Sequence, residues 1–227
     1  HRSQLNGNPD GDNLEDGLYH VVTVESGANV ELDGFHVING YAAGTATLQY
    51  GAGMLVHDNA EVTLTNCIFE NNTAVNGAAI YAQGATLTLQ NCVVNNNTNT
   101  TEANPVIFAD NPTLLHVTVV NNQGAAPGNM GTTSFSAGNT SGKNSLSIAT
   151  TGAANFANPT NGTGATLGFN TYLGGYASFR PLTSSAEAST YIINNGEETK
   201  LSNDIMGNER DLGGVPDLGA YEADLPK

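Results

Sequence analysis

Two stretches of the chain, Leu64-Thr-Asn-Cys-Ile-Phe-Glu-Asn71 and Leu89-Gln-Asn-Cys-Val-Val-Asn-Asn96, carry the same pattern. A related stretch begins at Leu114, after the same interval, and another begins earlier in the chain, at Leu32. The shared interval is about 25 residues, a period typical of solenoids, in which each repeat packs on its neighbours. The interval from Leu32 to Leu64 is longer, which indicates an insertion in a loop near residues 42–51.

Each repeat holds three short pieces in which apolar residues alternate with polar ones. In the second repeat we predict strands at 54–57, 61–65 and 67–70, because a period of two is typical of a strand with one buried face. In the third repeat we predict the equivalent strands at 79–82, 86–90 and 92–95.

The alternation changes phase after the second strand of each repeat, so the chain must bend there. Asn66, Asn91 and Gly34 occupy this position in three repeats. Asn and Gly enter the left-handed backbone region at low cost, which suits them to the bend.

Stacking the repeats in register predicts columns of like residues about 4.8 Å apart, with each strand pairing with its copies above and below. The columns are inward Leu32, Leu64, Leu89 and Leu114; inward Phe35, Cys67, Cys92 and Val117; and polar Asn39, Asn71, Asn96 and Asn121. Cys67 and Cys92 are then expected to be two buried stacked thiols, although export would allow a disulfide.

The sequence therefore predicts an all-β, right-handed parallel β-helix of three-strand coils, with about 25 residues per coil, over residues 18–178. Residues 1–17 are expected to form a loop, and residues 179–227 to form a closing segment of the same domain that hides the last open edge. Ser145–Ile148 and Thr166–Phe169 are predicted strands of looser coils. The alternative fold is an antiparallel sandwich, which needs hairpin signals at shorter spacing.

Composition and charge exclude several classes of partner. The net charge is −15, and no Lys or Arg stands between Arg2 and Lys143. We therefore do not expect nucleic acid as a partner, and the charge also disfavours an anionic membrane surface. The chain has no run of about 18 apolar residues, so we expect no direct membrane insertion.

Several motifs resemble known surface proteins. Cys67-Ile-Phe-Glu-Asn-Asn72, followed by Gly77-Ala-Ala-Ile-Tyr81, resembles the repeats of polymorphic outer-membrane proteins. Leu32-Asp-Gly-Phe-His-Val-Ile-Asn-Gly40 looks like the opening coil of Bacteroidetes surface β-helices. Asn203-Asp-Ile-Met-Gly-Asn-Glu-Arg210 and Asp217-Leu-Gly-Ala-Tyr-Glu222 are similar to the closing signature of secreted choice-of-anchor proteins. The resemblance covers residues 18–222 and implies export to the cell surface and an adhesin-like role, without catalytic residues to transfer.

The pectin-lyase-like superfamily shares this fold and includes polysaccharide lyases and hydrolases, so an enzyme is the alternative function. Lyases of this kind resemble one another in using an Arg or Lys base, which the coils lack. A hydrolase needs converging carboxylates, for which Glu31, Asp33 and Glu70 are the candidates. Glu31 and Asp33 share a strand face, but Thr63 and Thr65 are their predicted stacked partners. We interpret these acids as a solvated polar face.

Two aromatic residues and one loop are candidate binding sites. Tyr81 and Phe108 take comparable places in their coils; facing outward they would form a flat platform for sugar rings, but we interpret them as core. The N-terminal loop spaces oxygen ligands as in the first half of a calcium loop, and these ligands are Asn6, Asn8, Asp10, Asp12 and Asp16. Since Gly17 replaces the usual final Glu, an ordinary Asx and Gly loop is the simpler interpretation.

No two histidines of the coils fall in one predicted column, since His36 stacks on Ile68 and His116 on Asn91. Metal binding by histidine is therefore not expected.

We expect a monomeric, non-catalytic, extracellular or surface-attached β-helix that binds a glycan or a surface protein through a lateral face. The alternatives are a carbohydrate-active enzyme and a calcium-stiffened structural spacer.

Overall fold

The computed structural model describes residues 2–11, 17–101, 104–110, 112–120, 122–123, 194, 199–210, 215–217 and 220–223, and the backbone of strands within 141–163. In chain order the strands begin with β1 (Ser3–Asn6), β2 (Val22–Val24), β3 (Asn29–Asp33), β4 (Phe35–Ile38), β5 (Tyr41–Ala42), β6 (Met54–Val56), β7 (Glu61–Thr65), β8 (Ile68–Glu70), β9 (Thr73–Ala74) and β10 (Ile80–Ala82). They continue with β11 (Thr86–Gln90), β12 (Val93–Asn95), β13 (Thr98–Asn99), β14 (Ile107–Ala109), β15 (Thr113–Leu115), β16 (Thr118–Val120), β17 (Ser141–Lys143), β18 (Ser145–Ile148), β19 (Ala154–Asn158) and β20 (Asn161–Thr163).

The strands form four sheets that run along the axis of the coil. The first sheet contains β2, β6, β10 and β14; the second contains β3, β7, β11, β15 and β17; the fourth contains the two-residue strands β5, β9 and β13. The third sheet contains β1, β4, β8, β12, β16 and β18, and ends in the antiparallel strands β19 and β20. Pairing between coils is parallel throughout the described coils, so the predicted parallel β-helix is confirmed.

Each coil has the three predicted strands, and the first three coils add a short fourth one, which the sequence does not reveal because two residues show no alternation. The strand predicted at Ser145–Ile148 is confirmed as β18, whereas Thr166–Phe169 lies outside the described residues. Among the described residues, no helix has the length and apolar character needed to cross a membrane.

The prediction of a loop over residues 1–17 is wrong at its start. Ser3–Asn6 is a strand that pairs in parallel with β4, and Leu5 lies opposite Val37. A single apolar residue among four is too little alternation to detect, but the partner strand supplies the backbone hydrogen bonds that hold the segment extended. The third sheet therefore begins before residue 18.

The predicted insertion is confirmed between the first two coils. The paired residues Val22 and Met54, in the first two coils, are separated by more residues in the sequence than the paired residues Thr73 and Thr98, in the second and third coils. A short 3-10 helix, Ala46–Gln49, occupies the extra length. Tyr50 directly follows this helix.

The predicted leucine column is confirmed at the centre of the molecule. Leu64, Leu89 and Leu114 lie opposite one another in the second sheet and are at most 1% exposed. Leu32 lies opposite Leu64 at the end of the column and is only partly buried. Full burial of a leucine side chain contributes about 2 kcal/mol, so each added coil stabilises the one below it.

The bend after the second strand follows the prediction. Gly34, Asn66 and Asn91 have φ angles of 77°, 53° and 51°, all in the left-handed region. His116 takes the same conformation in the fourth coil, with φ 52°, although histidine favours it less. These four residues form a row along one corner of the helix, which we call the bend row.

Asparagines form two ladders at the next corner. In the predicted ladder, the Asn96 side chain donates to Asn71, whereas Asn121 lies outside the described residues. The neighbouring ladder is buried: Asn72 Nδ2 donates to Asn97 Oδ1 at 2.9 Å, and Asn97 Nδ2 donates to Asn122 Oδ1 at 3.0 Å. Because this ladder also satisfies buried backbone groups, it is an integral part of the core.

Cys67 and Cys92 are buried free thiols, as expected from their places in one column. The Cys92 thiol donates to the carbonyl of Gln90, and burial raises its pKa well above the ordinary value.

The described residues of the closing segment lie along the side of the helix, on the bend row. Arg210 Nη2 donates to Asn91 Oδ1 at 2.8 Å, and the Ala220 backbone N–H donates to Thr118 Oγ1 at 2.9 Å. His116 Nε2 lies 3.1 Å from Thr199 Oγ1. These contacts are with the flank of the helix, whereas the sequence predicts a closing segment that covers the open end; that this segment is part of the same domain stays a prediction.

Candidate functional site

Tyr81 and Phe108 lie opposite each other in β10 and β14 of the first sheet. Ile80, Ala82 and Ile107 are buried at 0%, 0% and 1% exposure, so the alternation of the strand turns Tyr81 and Phe108 to the outer face. Their interpretation as core residues is therefore wrong. The buried neighbours show which residues of these strands face inward, and Tyr81 and Phe108 alternate with them.

A third ring, Tyr50, comes from the insertion and completes an aromatic stack with Tyr81 and Phe108. The Tyr50 and Tyr81 ring centroids are 4.8 Å apart with planes 11° from parallel, and those of Tyr81 and Phe108 are 4.9 Å apart and 7° from parallel. Stacking of this kind adds about 1 kcal/mol per pair beyond simple burial, so the insertion is fastened to the sheet.

The stack is also not the flat platform that the sequence predicts for the case in which these rings face outward. Nearly parallel rings with neighbouring centroids 4.8 and 4.9 Å apart face one another, so both faces of Tyr81 are covered by its neighbours. Tyr81 presents its edge and its hydroxyl, which donates to Gln83 Oε1 at 2.6 Å. Only the end rings, Tyr50 and Phe108, have a face that no other ring of the stack covers.

A groove of about 380 Å³ lies beside the Tyr50 end of the stack. It is lined by Thr47, Tyr50, Leu55, Val56, His57, Asp58, Tyr81 and Gln83. One wall is supplied by the insertion and the other by consecutive coils of the first sheet. A concave surface with an aromatic ring and several hydrogen-bonding side chains has the usual composition of a small-ligand site.

Asp58 lines this aromatic groove, and a second carboxylate, that of Asp110, approaches Gly84 from the other side. Asp110 Oδ2 accepts a hydrogen bond from the Gly84 backbone N–H at 2.8 Å. Asp58 Oδ1 lies 2.9 Å from the position that a side-chain carbon at residue 84 would take. Gly84 therefore leaves room for Asp58, and the coil between the two acids adds no side chain between them.

The carboxylates act electrostatically on the stack. The pKa of Tyr81 is raised, first by partial burial, then by interaction with Tyr50, and then by the negative charges of Asp110 and Asp58. Both charges therefore disfavour ionisation of the Tyr81 hydroxyl.

Sequence analysis missed Tyr50, Asp58 and Asp110 as candidate site residues. Tyr50 stands in the insertion, outside the repeat, so no column contains it. Asp58, Gly84 and Asp110 recur at an equal spacing, a signal that was present but is slightly longer than the interval between the leucines.

The residues proposed for hydrolysis are not brought together. Glu31 and Asp33 are exposed on the second sheet, where they lie opposite Thr63 and Thr65 as predicted. Glu70 lies on the third sheet, where its Oε2 is 3.0 Å from Nε2 of His36. This hydrogen bond lowers the pKa of Glu70, so the Glu70 carboxylate is occupied in a structural contact with His36.

The predicted calcium loop already uses two of its oxygens. Asn6 Oδ1 accepts from the Asn8 backbone N–H and from Asn39 Nδ2, both at 3.0 Å. Asn8 Oδ1 accepts from the Gly11 N–H at 3.2 Å, and Asp10 is exposed. Asp12 and Asp16 lie outside the described residues, and calcium binding stays a prediction. Across the part of the chain that the structure describes, no three His, Cys, Asp or Glu residues gather to hold a metal ion.

A larger groove, of about 760 Å³, lies between the bend row and the closing segment. Its polar groups mostly hold the two parts together: Arg2 Nε donates to the Asn66 carbonyl at 3.2 Å, and Asn91 Nδ2 donates to the Asn203 carbonyl at 3.0 Å. The Arg2 Nη2 group also donates to the carbonyl of Ile205. We therefore regard this groove as a structural junction and the smaller aromatic groove as the candidate site.

Comparison with known proteins agrees with the fold. A family model described as a right-handed beta helix region matches residues 10–124, just over half of the chain. No curated protein and no solved structure matches the chain significantly. The matched residues contain the complete coils with the leucine column and the aromatic groove. The chain belongs to the right-handed β-helix family.

Proposed function

We propose that this β-helix is a non-catalytic, adhesin-like surface protein that binds a glycan through the aromatic groove of its first sheet. The observation that carries the proposal is the stack of Tyr50, Tyr81 and Phe108 beside a groove with polar walls. Extracellular location and display on a bacterial surface belong to the same proposal, and they rest on the resemblance of the coil and closing motifs.

A sugar suits this groove for two reasons. The carbon face of a pyranose packs against an aromatic ring, and the outer face of Tyr50 lies at the end of the stack. Sugar hydroxyls need donors and acceptors at fixed positions, which the planar side chains of Gln83 and Asp58 provide. Backbone segments of β6 and β10 hold this wall, so the ligand meets a preorganised site.

The site also suits a glycan better than a flat protein partner. The stack offers ring edges and the groove is narrow, whereas a protein interface needs a patch of about 800 Å² on each side. Apart from the stack, the outer face of the first sheet presents Thr23 and Leu55, and the polar residues His57 and Gln83 directly follow β6 and β10.

The test is binding to a panel of immobilised oligosaccharides, followed by calorimetry with the best ligand. We expect Tyr50→Ala to weaken binding about tenfold or more, because it removes the end ring and one wall of the groove. Tyr19→Ala is the matched control, since Tyr19 is 45% exposed and does not line the groove. Equal affinity of Tyr50→Ala and wild-type protein would place the binding elsewhere and refute the proposal.

Hydrolysis of the bound glycan is the second candidate function. One observation favours it: Asp58 and Asp110 approach the same glycine, and glycosidases use two carboxylates within about 10 Å. If the protein were a hydrolase, incubation with the bound oligosaccharide would release reducing ends, and Asp110→Asn would abolish this release. We expect no release from the wild-type protein.

A further inference from the structure

We propose that the aromatic groove selects glycans with free amino groups, such as β-1,4-linked glucosamine oligomers, through the carboxylates of Asp58 and Asp110. This inference rests on the proposed function and adds the chemical class of the ligand. It is argued from the charges around the groove, independently of the ring contacts that argue for a sugar.

The first step is the position of the two acids. Both approach Gly84, Asp58 from the second coil and Asp110 from the fourth, and both charges act on the Tyr81 hydroxyl. Tyr81 stacks directly on Tyr50, so the negative charge lies next to the ring on which a sugar would pack. Both carboxylates belong to exposed residues and are open to a ligand in solution.

The second step is the lack of a compensating cation. No Lys or Arg occurs between Arg2 and Lys143, so none stands in the coils that build the groove. Among the ion pairs of the described residues, none involves Asp58 or Asp110. His57 is the other titratable group that lines the groove near them, besides Tyr50 and Tyr81.

The third step is the chemistry of the ligand. An ammonium group on a sugar can approach Asp58 or Asp110 while the sugar ring packs on the end of the stack, and such charge-assisted hydrogen bonds are stronger than neutral ones. Glycans rich in uronate or sulfate meet the opposite situation, because the whole chain has a net charge of −15. The preference should therefore run from amino sugars to neutral sugars to anionic sugars.

The experiment uses three soluble β-1,4-linked pentamers that differ at carbon 2: glucosamine, N-acetylglucosamine and glucose. We expect the glucosamine pentamer to bind the full chain about tenfold more tightly than the other two at low salt. Raising NaCl to about 0.5 M should remove most of this difference, because exposed charges are screened.

Two double variants separate a specific site from general attraction to an acidic protein. D58N/D110N should lose the preference for glucosamine and bind the three pentamers about equally, while an amide oxygen at position 110 can still accept from the Gly84 N–H. E31Q/D33N removes the same charge from the second sheet and should keep the preference.

The outcomes distinguish this inference from the proposed function. Equal binding of the three pentamers, weakened by Tyr50→Ala, would overturn the charge selection and leave glycan binding standing. Loss of the preference to the same degree in E31Q/D33N would also overturn it, because the attraction would then be nonspecific. If no pentamer and no panel glycan binds, the proposed function fails together with the inference.

Discussion

In the coils, each stabilising residue has copies one repeat away, whereas in the closing segment each occurs once. Leu89 lies between Leu64 and Leu114, and its environment recurs in the coils above and below. Arg210 in the closing segment has no such copy: its Nη1 donates to Glu222 Oε1 at 2.8 Å in a buried ion pair. The coils thus distribute their stability over columns, whereas the described part of the closing segment relies on the polar cluster around Arg210.

The difference indicates how each part should fail. A coil that loses one buried side chain still packs through its other columns. The destabilisation is shared with the neighbouring coils, because all coils contribute to one core. The closing segment depends on a few buried charges, so removal of one should detach the segment and leave the coils folded. The predictions below test these two modes.

The largest effect is expected in the coils, at the buried amide ladder. Asn97→Ala removes the acceptor of the Asn72 N–H and the donor to the Phe69 carbonyl. Two unsatisfied buried groups and a cavity should lower the free energy of unfolding by about 4 kcal/mol. Urea unfolding measures it, and Asn96→Gly, in the exposed ladder and at a φ of 53° that glycine tolerates, should cost about 1 kcal/mol or less. Equal effects of the two substitutions would show that the buried ladder is not part of the core.

The next effect is expected in the closing segment. Arg210→Met removes the cation beside the buried Glu222 and should weaken attachment by about 3 kcal/mol. Hydrogen exchange at Ile205 and Ala220, whose N–H groups donate to the Ala220 carbonyl and to Thr118 Oγ1, should accelerate. Exchange at Leu89 should remain slow. If exchange accelerates at Leu89 to the same degree, the closing segment and the coils form one cooperative unit.

A smaller effect is expected from pH. Burial, and next the charge of Asp217, raise the pKa of Glu222 to about 7, and burial also raises the pKa of Asp217. A raised pKa in the folded state stabilises the fold below the unfolded pKa of Glu, 4.5, and this contribution is lost as pH rises through about 7. Attachment should therefore weaken by about 2 kcal/mol between about pH 5 and pH 8, against the opposing attraction of Arg210.

Hydrogen exchange at Ile205, corrected for the intrinsic rate, measures this change. Glu222→Gln should remove most of the pH dependence. The remainder should come from Asp217, whose raised pKa acts in the same direction. An attachment that strengthens with pH would mean that the ion pair with Arg210 outweighs the burial of the carboxylate.

Sequence analysis predicted the coils well because their signal is periodic. The leucine column, the bend at Asn66 and Asn91, and the insertion all follow from spacing. The buried ladder did not follow, because Asn71-Asn72 and Asn96-Asn97 are adjacent pairs at a bend, where alternation does not show which member faces inward.

The aromatic groove was predicted only in part, for a related reason. Tyr81 and Phe108 were recognised as equivalent, but Tyr50 comes from an insertion that has no copy in other coils. The stacking of rings face to face depends on side-chain rotamers, which the sequence does not specify. The closing segment has no period at all, and the partners of Arg210 are visible only in three dimensions.

The smallest effect is expected from calcium. Asn6 and Asn8 already accept hydrogen bonds through their side-chain oxygens, so binding there must displace these contacts. We expect addition of calcium, or of a chelator, to shift the melting temperature by about 1 °C or less. A rise of several degrees, absent in Asp10→Asn, would establish the predicted calcium loop and support a stiffened spacer.

The most direct measurement of glycan binding is an NMR titration of the labelled protein with the tightest-binding pentamer. Binding at the aromatic groove predicts that the largest shifts occur at Tyr50, Tyr81 and Gln83, and that Asn91 and Ile205 at the larger groove remain unchanged. Shifts confined to the junction with the closing segment, with none at Tyr50, would contradict the assignment of the aromatic groove as the binding site.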